Sequence, residues 1–195
     1  MAVSQVDIAN RALTKLGAAR IISLDDDSQA SNTLSSMFAI VRDAELRKNL
    51  WHFSKAREQL PALSQAPVFG FSHQFQLPAD FLRLIEVNGR RCQPKPQLDA
   101  WYSIEAGRIL INQGGPLRLR YVRRVEDPTQ FDALFVEALA CKLAFEACET
   151  ITQSNTKKQT AAQEYEVAIA DARRMNAIER AAQATSDDTW LESRL

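Results

Sequence analysis

The chain has 195 residues, of which 46% are hydrophobic and 25% charged, and carries no net charge. Such a composition supports a packed core and argues against global disorder. No apolar run approaches the roughly 20 residues that a membrane span needs. The first ten residues lack the basic and then apolar pattern of a secretory signal, so a product made in a cytoplasm is expected. Cys92, Cys141 and Cys148 are odd in number and follow no motif spacing, which points to reduced thiols. Charge is unevenly spread: residues 83–124 hold nine basic and three acidic side chains, and residues 125–195 hold thirteen acidic and seven basic. A positive middle and a negative last third favour contact between copies or with a charged partner.

In chain order, Ser4 and Asp7 read as a capping box that opens a first helix. Ile8, Ala9, Ala12, Leu13 and Leu16 fall on one face, and Gly17 supplies a left-handed stop. The acidic run Asp25, Asp26, Asp27 precedes a second helix, expected from about Ser28 to about Lys48, with Leu34, Phe38, Val41 and Leu46 on its apolar face. From Trp51 the pattern turns to strands. Phe81 to Val87 runs to the turn pair Asn88-Gly89, and Trp101–Ile104 with Arg108–Ile111 flanks Ala106-Gly107. In Leu117-Arg118-Leu119-Arg120-Tyr121 the alternation is strict, which predicts one buried face and one basic, exposed face. Asp127-Pro128 reads as the start of a third helix that is apolar on most sides through Cys148. A fourth helix is expected from roughly Lys157 to Ala184. These elements predict an α+β fold, mostly α: a four-helix bundle with a small antiparallel β domain inserted between helices 2 and 3. In domain terms, residues 1–50 and 125–184 form the bundle, 51–124 the inserted domain and 185–195 a flexible tail.

The residues that carry chemistry form no recognisable constellation. His52 and His73 lack ligand-spaced partners, and Cys141 with Cys148 makes too few thiolates for a closed zinc site. Asp25, Asp26 and Asp27 lack the glycine and distal glutamate of a calcium loop. Gly114-Gly115-Pro116 is not followed by the Lys and Ser/Thr of a phosphate loop. The sequence therefore predicts a non-enzyme without catalytic residues, metal or cofactor.

Several segments carry a likeness to a known family. They are Trp51-x-Phe53-Ser54-x-Ala56-Arg57, then Leu77-Pro78-Ala79-Asp80-Phe81-Leu82-Arg83, then Leu119-Arg120-Tyr121-Val122. Asp127-Pro128-x-x-Phe131-Asp132-x-x-Phe135 and two C-terminal helices complete the order. This arrangement resembles the tail tubular protein A family, the head-to-tail adaptors of short-tailed bacteriophages and related prophages, from about Ser4 to about Ala184. The resemblance implies a structural virion protein of the tail neck, made in the host cytoplasm. It implies a homo-oligomeric ring of twelve copies beneath the portal protein, supporting the tail nozzle, with genomic DNA passing through the channel. Two other roles fit the residues: a head-completion or tail-terminator protein of a long-tailed phage, and a prophage DNA-binding or packaging factor that uses the arginine-rich strand. Candidate partner contacts are Arg118, Arg120, Arg123 and Arg124 on or just after that strand, and Trp190, Leu191 and Leu195 in the tail, where an aromatic anchor suits a pocket on another chain.

Overall fold

The computed structural model describes residues 2–92 and 101–179. The expected tail, 185–195, lies outside the described residues.

Local signals place the first two helices. Helix α1 spans Gln5–Leu16: the Ser4 hydroxyl accepts from the Asp7 N–H, the Asp7 carboxylate accepts from the Ser4 N–H, and Gly17 ends the helix at φ 65°. Both halves of the capping box are present, so two otherwise orphaned donors are satisfied. Helix α2 spans Gln29–Lys48 and is capped by Ser28. The preceding acidic run serves the loop instead of the helix, because Asp26 accepts from the N–H groups of Ile22 and Ser23.

Seven strands follow: β1 (Lys55–Leu60), β2 (His73–Gln76), β3 (Phe81–Val87), β4 (Arg90–Arg91), β5 (Tyr102–Glu105), β6 (Arg108–Ile111) and β7 (Leu117–Arg123). They make two antiparallel sheets, one ordered β1-β7-β3-β4 and the other β2-β6-β5. Asn88-Gly89 and Ala106-Gly107 both have positive φ at the two turn positions, the geometry that tight hairpins require. The chain returns to helix in α3 (Ala133–Thr152) and α4 (Asn155–Ile178). Asp127 does cap a helical turn, but a short 3-10 one over Pro128–Gln130. Asp132 is the cap of α3, accepting from the N–H groups of Leu134 and Phe135.

The expected architecture, a mostly helical four-helix bundle carrying one small inserted sheet, is not what the chain adopts. Helix α3 is a hub: α1, α2 and α4 each pack principally on it. Nearly every side of α3 is apolar, and a helix of that kind must be covered all round. Part of the cover comes from the first sheet, whose Leu82 and Val122, with Val125 just beyond it, join the helical core around Phe135, Leu139 and Leu143. The strands also hold a core of their own. Leu60, Phe75, Leu77, Val87, Ile109, Ile111, Leu117, Leu119 and Tyr121 come from both sheets. One four-stranded and one three-stranded sheet each present an apolar face, and packing those faces removes both from water. Strand β7 belongs to both cores, with Leu117, Leu119 and Tyr121 in one and Val122 in the other.

Polar links fix the helices to one another and to the first sheet. Glu45, 1% exposed on α2, accepts from the Tyr165 hydroxyl of α4 at 3.0 Å and from Lys48 at 2.7 Å. Burial, with the Glu45 charge beside it, pushes the Tyr165 hydroxyl well above its ordinary range. On the other side of α3, Glu137 accepts from Arg11 and Lys15 of α1. At the sheet, Arg83 donates to the carbonyls of Arg47 and Lys48, and Arg47 donates to the Leu82 carbonyl. The two Arg83 bonds satisfy carbonyls at the C-terminal end of α2 that no helical partner can reach.

Candidate functional site

The first sheet has one face turned to the inter-sheet core and one turned outward. Period-two alternation puts Arg118 and Arg120 of β7 on the outward face. Antiparallel pairing brings Arg57 of β1 directly opposite Arg120 and Gln59 opposite Arg118. On the other side of β7, Glu86 of β3 lies opposite Arg120, and their charged groups are 3.5 Å apart. Arg57, Gln59, Glu86, Gly89, Arg118 and Arg120 are among the residues that line an open cleft of about 490 Å³ on this face. Since β1 is the edge strand of the sheet, the cleft opens at the sheet's margin.

The cleft carries more positive than negative charge, with Arg57, Arg118 and Arg120 against Glu58 and Glu86. Like charges placed directly opposite on adjacent strands destabilise a sheet, and Arg57 faces Arg120 in that way. Glu86 offsets one guanidinium. The side chains of Arg57 and Arg118 have no carboxylate partner among the described residues, and both are exposed. The Arg118 backbone, by contrast, is held on both sides of its residue. Asn88 in the hairpin turn donates its N–H to the Arg118 carbonyl and accepts from the Arg118 N–H through Oδ1, each at 2.8 Å. Beneath β7, the Tyr121 hydroxyl on the inner face donates to Asp80 at 2.9 Å and lies 3.3 Å from Glu58. Burial, then the Asp80 bond and charge, push that hydroxyl far above its usual range, so it stays a donor.

The four arginines expected to act together divide into two pairs. Arg118 and Arg120 share the cleft. Arg123 donates to the Gln130 side chain at 2.7 Å. Arg124 donates to Asp43 of α2 at 2.7 Å, and the same carboxylate holds the nearly buried Arg42 at 2.9 Å. Arg124 thus joins the end of β7 to a helix. Trp190, Leu191 and Leu195 lie outside the described residues. Sequence reasoning missed Arg57. A signal was present, since Lys55, Arg57 and Gln59 alternate with Ala56 and Leu60, but the mixed polarity of the segment hid its period.

Other chemistry-bearing residues are dispersed or structural. Cys141 and Cys148 are 2% and 0% exposed in the helical core. The His52 ring lies 3.3 Å from Asn176 and 3.4 Å from Glu179. Among the described residues, no group of three or more His, Cys, Asp or Glu could hold a metal ion. No described helix is long and apolar enough to cross a membrane. Neither a protein-family model nor a curated protein sequence matches the chain.

Proposed function

We propose that this chain is a structural, non-enzymatic adaptor of a bacteriophage or prophage tail. Copies form a ring beneath the portal, support the tail nozzle and surround the path of the DNA. The observation that carries this reading is where the family-like segments meet. Trp51 stacks on Phe53, both meet Phe135 edge to face, and Phe53 and Phe135 also meet Phe131, with ring centroids 5.0 to 6.2 Å apart. The Trp51 indole N–H donates to the Glu45 carbonyl at 3.0 Å. Asp80 takes the Tyr121 hydroxyl, and Leu82 and Val122 enter the same core as Trp51.

The segments that carry the resemblance are thus those that weld the helices to the sheets, the part of the chain on which an adaptor of this shape depends. A rigid junction leaves the outward sheet face and the helix exteriors to neighbours. Electrostatic contact through the arginine-lined cleft then supplies orientation and partner choice more than raw affinity. Assembly on a portal adds up many contacts that are each weak. Cryo-electron microscopy of purified particles tests the proposal directly. It predicts density for repeated copies between portal and nozzle. A single copy at the neck, or absence of the protein from purified particles, overturns it.

A further inference from the structure

The arginine cleft has an acidic counterpart beyond the far end of α2 in the same molecule. The loop between α1 and α2 projects from the helical end, where Ile22 is 92% exposed. Asp25 and Asp27 are exposed on that loop, and neither side chain has a hydrogen bond or ion pair among the described residues; only Asp26 is occupied, by the loop's own backbone. The cleft, at the other end, is concave and holds the guanidinium groups of Arg57 and Arg118, which have no carboxylate partner among the described residues. The 20 residues of α2 separate the two, since the loop precedes its N-terminus and β3 is tied to its C-terminus. At 1.5 Å per residue that is about 30 Å, too far for the loop to reach the cleft of its own chain.

We propose that the cleft receives a second copy of this chain, with Asp25 and Asp27 of one molecule pairing with Arg57 and Arg118 of the next. The carboxylates relieve the Arg57–Arg120 repulsion, and Ile22 lies against the aliphatic stems of the arginines. The cleft is lined by Arg57, Arg118 and Arg120 against Glu58 and Glu86, so a pair of incoming carboxylates suffices for it, and the two glutamates disfavour a densely charged phosphate backbone. A contact between different ends is heterologous: it closes into a ring or runs on as a filament according to the rotation between copies. The inference rests on the ring reading above and gives that ring a subunit contact.

Two full-length variants test it. Asp25→Lys with Asp27→Lys blocks the loop, and Arg57→Glu with Arg118→Glu blocks the cleft. In sedimentation velocity at low salt, each alone self-associates more than roughly tenfold more weakly than wild type, because like charges now meet. Mixed, they form heterodimers and longer alternating assemblies, since the intact cleft of one meets the intact loop of the other and the lysine loop meets the glutamate cleft. The quadruple variant, with both ends reversed, recovers self-association. Unaltered association of either variant, no heterodimer on mixing, or a monomeric wild type at low salt overturns the contact. If the mixture fails to pair while wild type, but not the cleft variant, retards duplex DNA, the cleft is a phosphate site and the contact is likewise overturned. A ring in the particle neck without heterodimers would remove this contact and leave the ring; heterodimers without a ring would do the reverse.

Discussion

Along β7 the side chains of Leu117, Leu119 and Tyr121 are 0%, 2% and 4% exposed, while Arg118, between two of them, stands in solvent. One strand, with one backbone geometry, presents two surfaces made for different tasks. The inner surface gains its free energy from apolar area removed from water in both sheets at once. Little is left to gain on the outer surface within this chain, where an arginine faces an arginine across the ladder. Burial makes a residue costly to change and cheap to interpret. Exposure makes the reverse true, so the functional signal lies where stability is least at stake.

The largest effect should come from the inner surface. Leu119→Ala removes a side chain packed between two sheets and is expected to cost about 2 to 5 kcal/mol. Urea unfolding would show it as a lower midpoint with an unchanged slope. A loss under about 1 kcal/mol would mean that the inter-sheet core collapses around the gap.

An intermediate effect, present near neutrality and lost in acid, is expected on the helical side, where Glu137 is paired with Arg11 and Lys15. Glu137 is partly buried, which by itself raises its pKa. The bonds from Arg11 and Lys15 outweigh that and hold the carboxyl below its ordinary value. The unfolded chain therefore binds this proton more readily than the folded one. The stability it supplies is complete above the unfolded pKa and is lost as pH falls through the folded pKa. Glu137→Gln should lower the melting temperature near neutrality and bring the two proteins together in strong acid. Melting curves that run parallel at every pH would show that the pairing contributes nothing.

The smallest effect on folding belongs to the outer surface. Arg118→Ala should change unfolding free energy by no more than about 0.5 kcal/mol, as exposed positions usually do. Should the same measurement reveal a loss like that at Leu119, Arg118 would belong to the fold and the contrast between the two faces would fail.

Much of the chain was legible from its residues alone, and for one reason. The Ser4–Asp7 capping box, the Gly17 stop, the Asn88-Gly89 turn and the alternation from Leu117 to Tyr121 are decided by neighbours a few residues apart. Backbone donors at a helix start or a positive φ at a turn admit few side chains, so the residue names the geometry. Long-range meetings were settled only by tertiary structure. Arg124 looks like a member of a basic cluster until Asp43, 81 positions away, takes its guanidinium. Arg57 carries no mark until β1 lies against β7 and sets it opposite Arg120. Even the second sheet was hidden, since apolar alternation says that a strand has a buried face and not which surface will cover it. Sequence determined the local elements because local sterics and hydrogen bonds choose among few conformations. Which faces met, and therefore which charges were paired inside the molecule and which were left exposed, depended on packing that no short window contains.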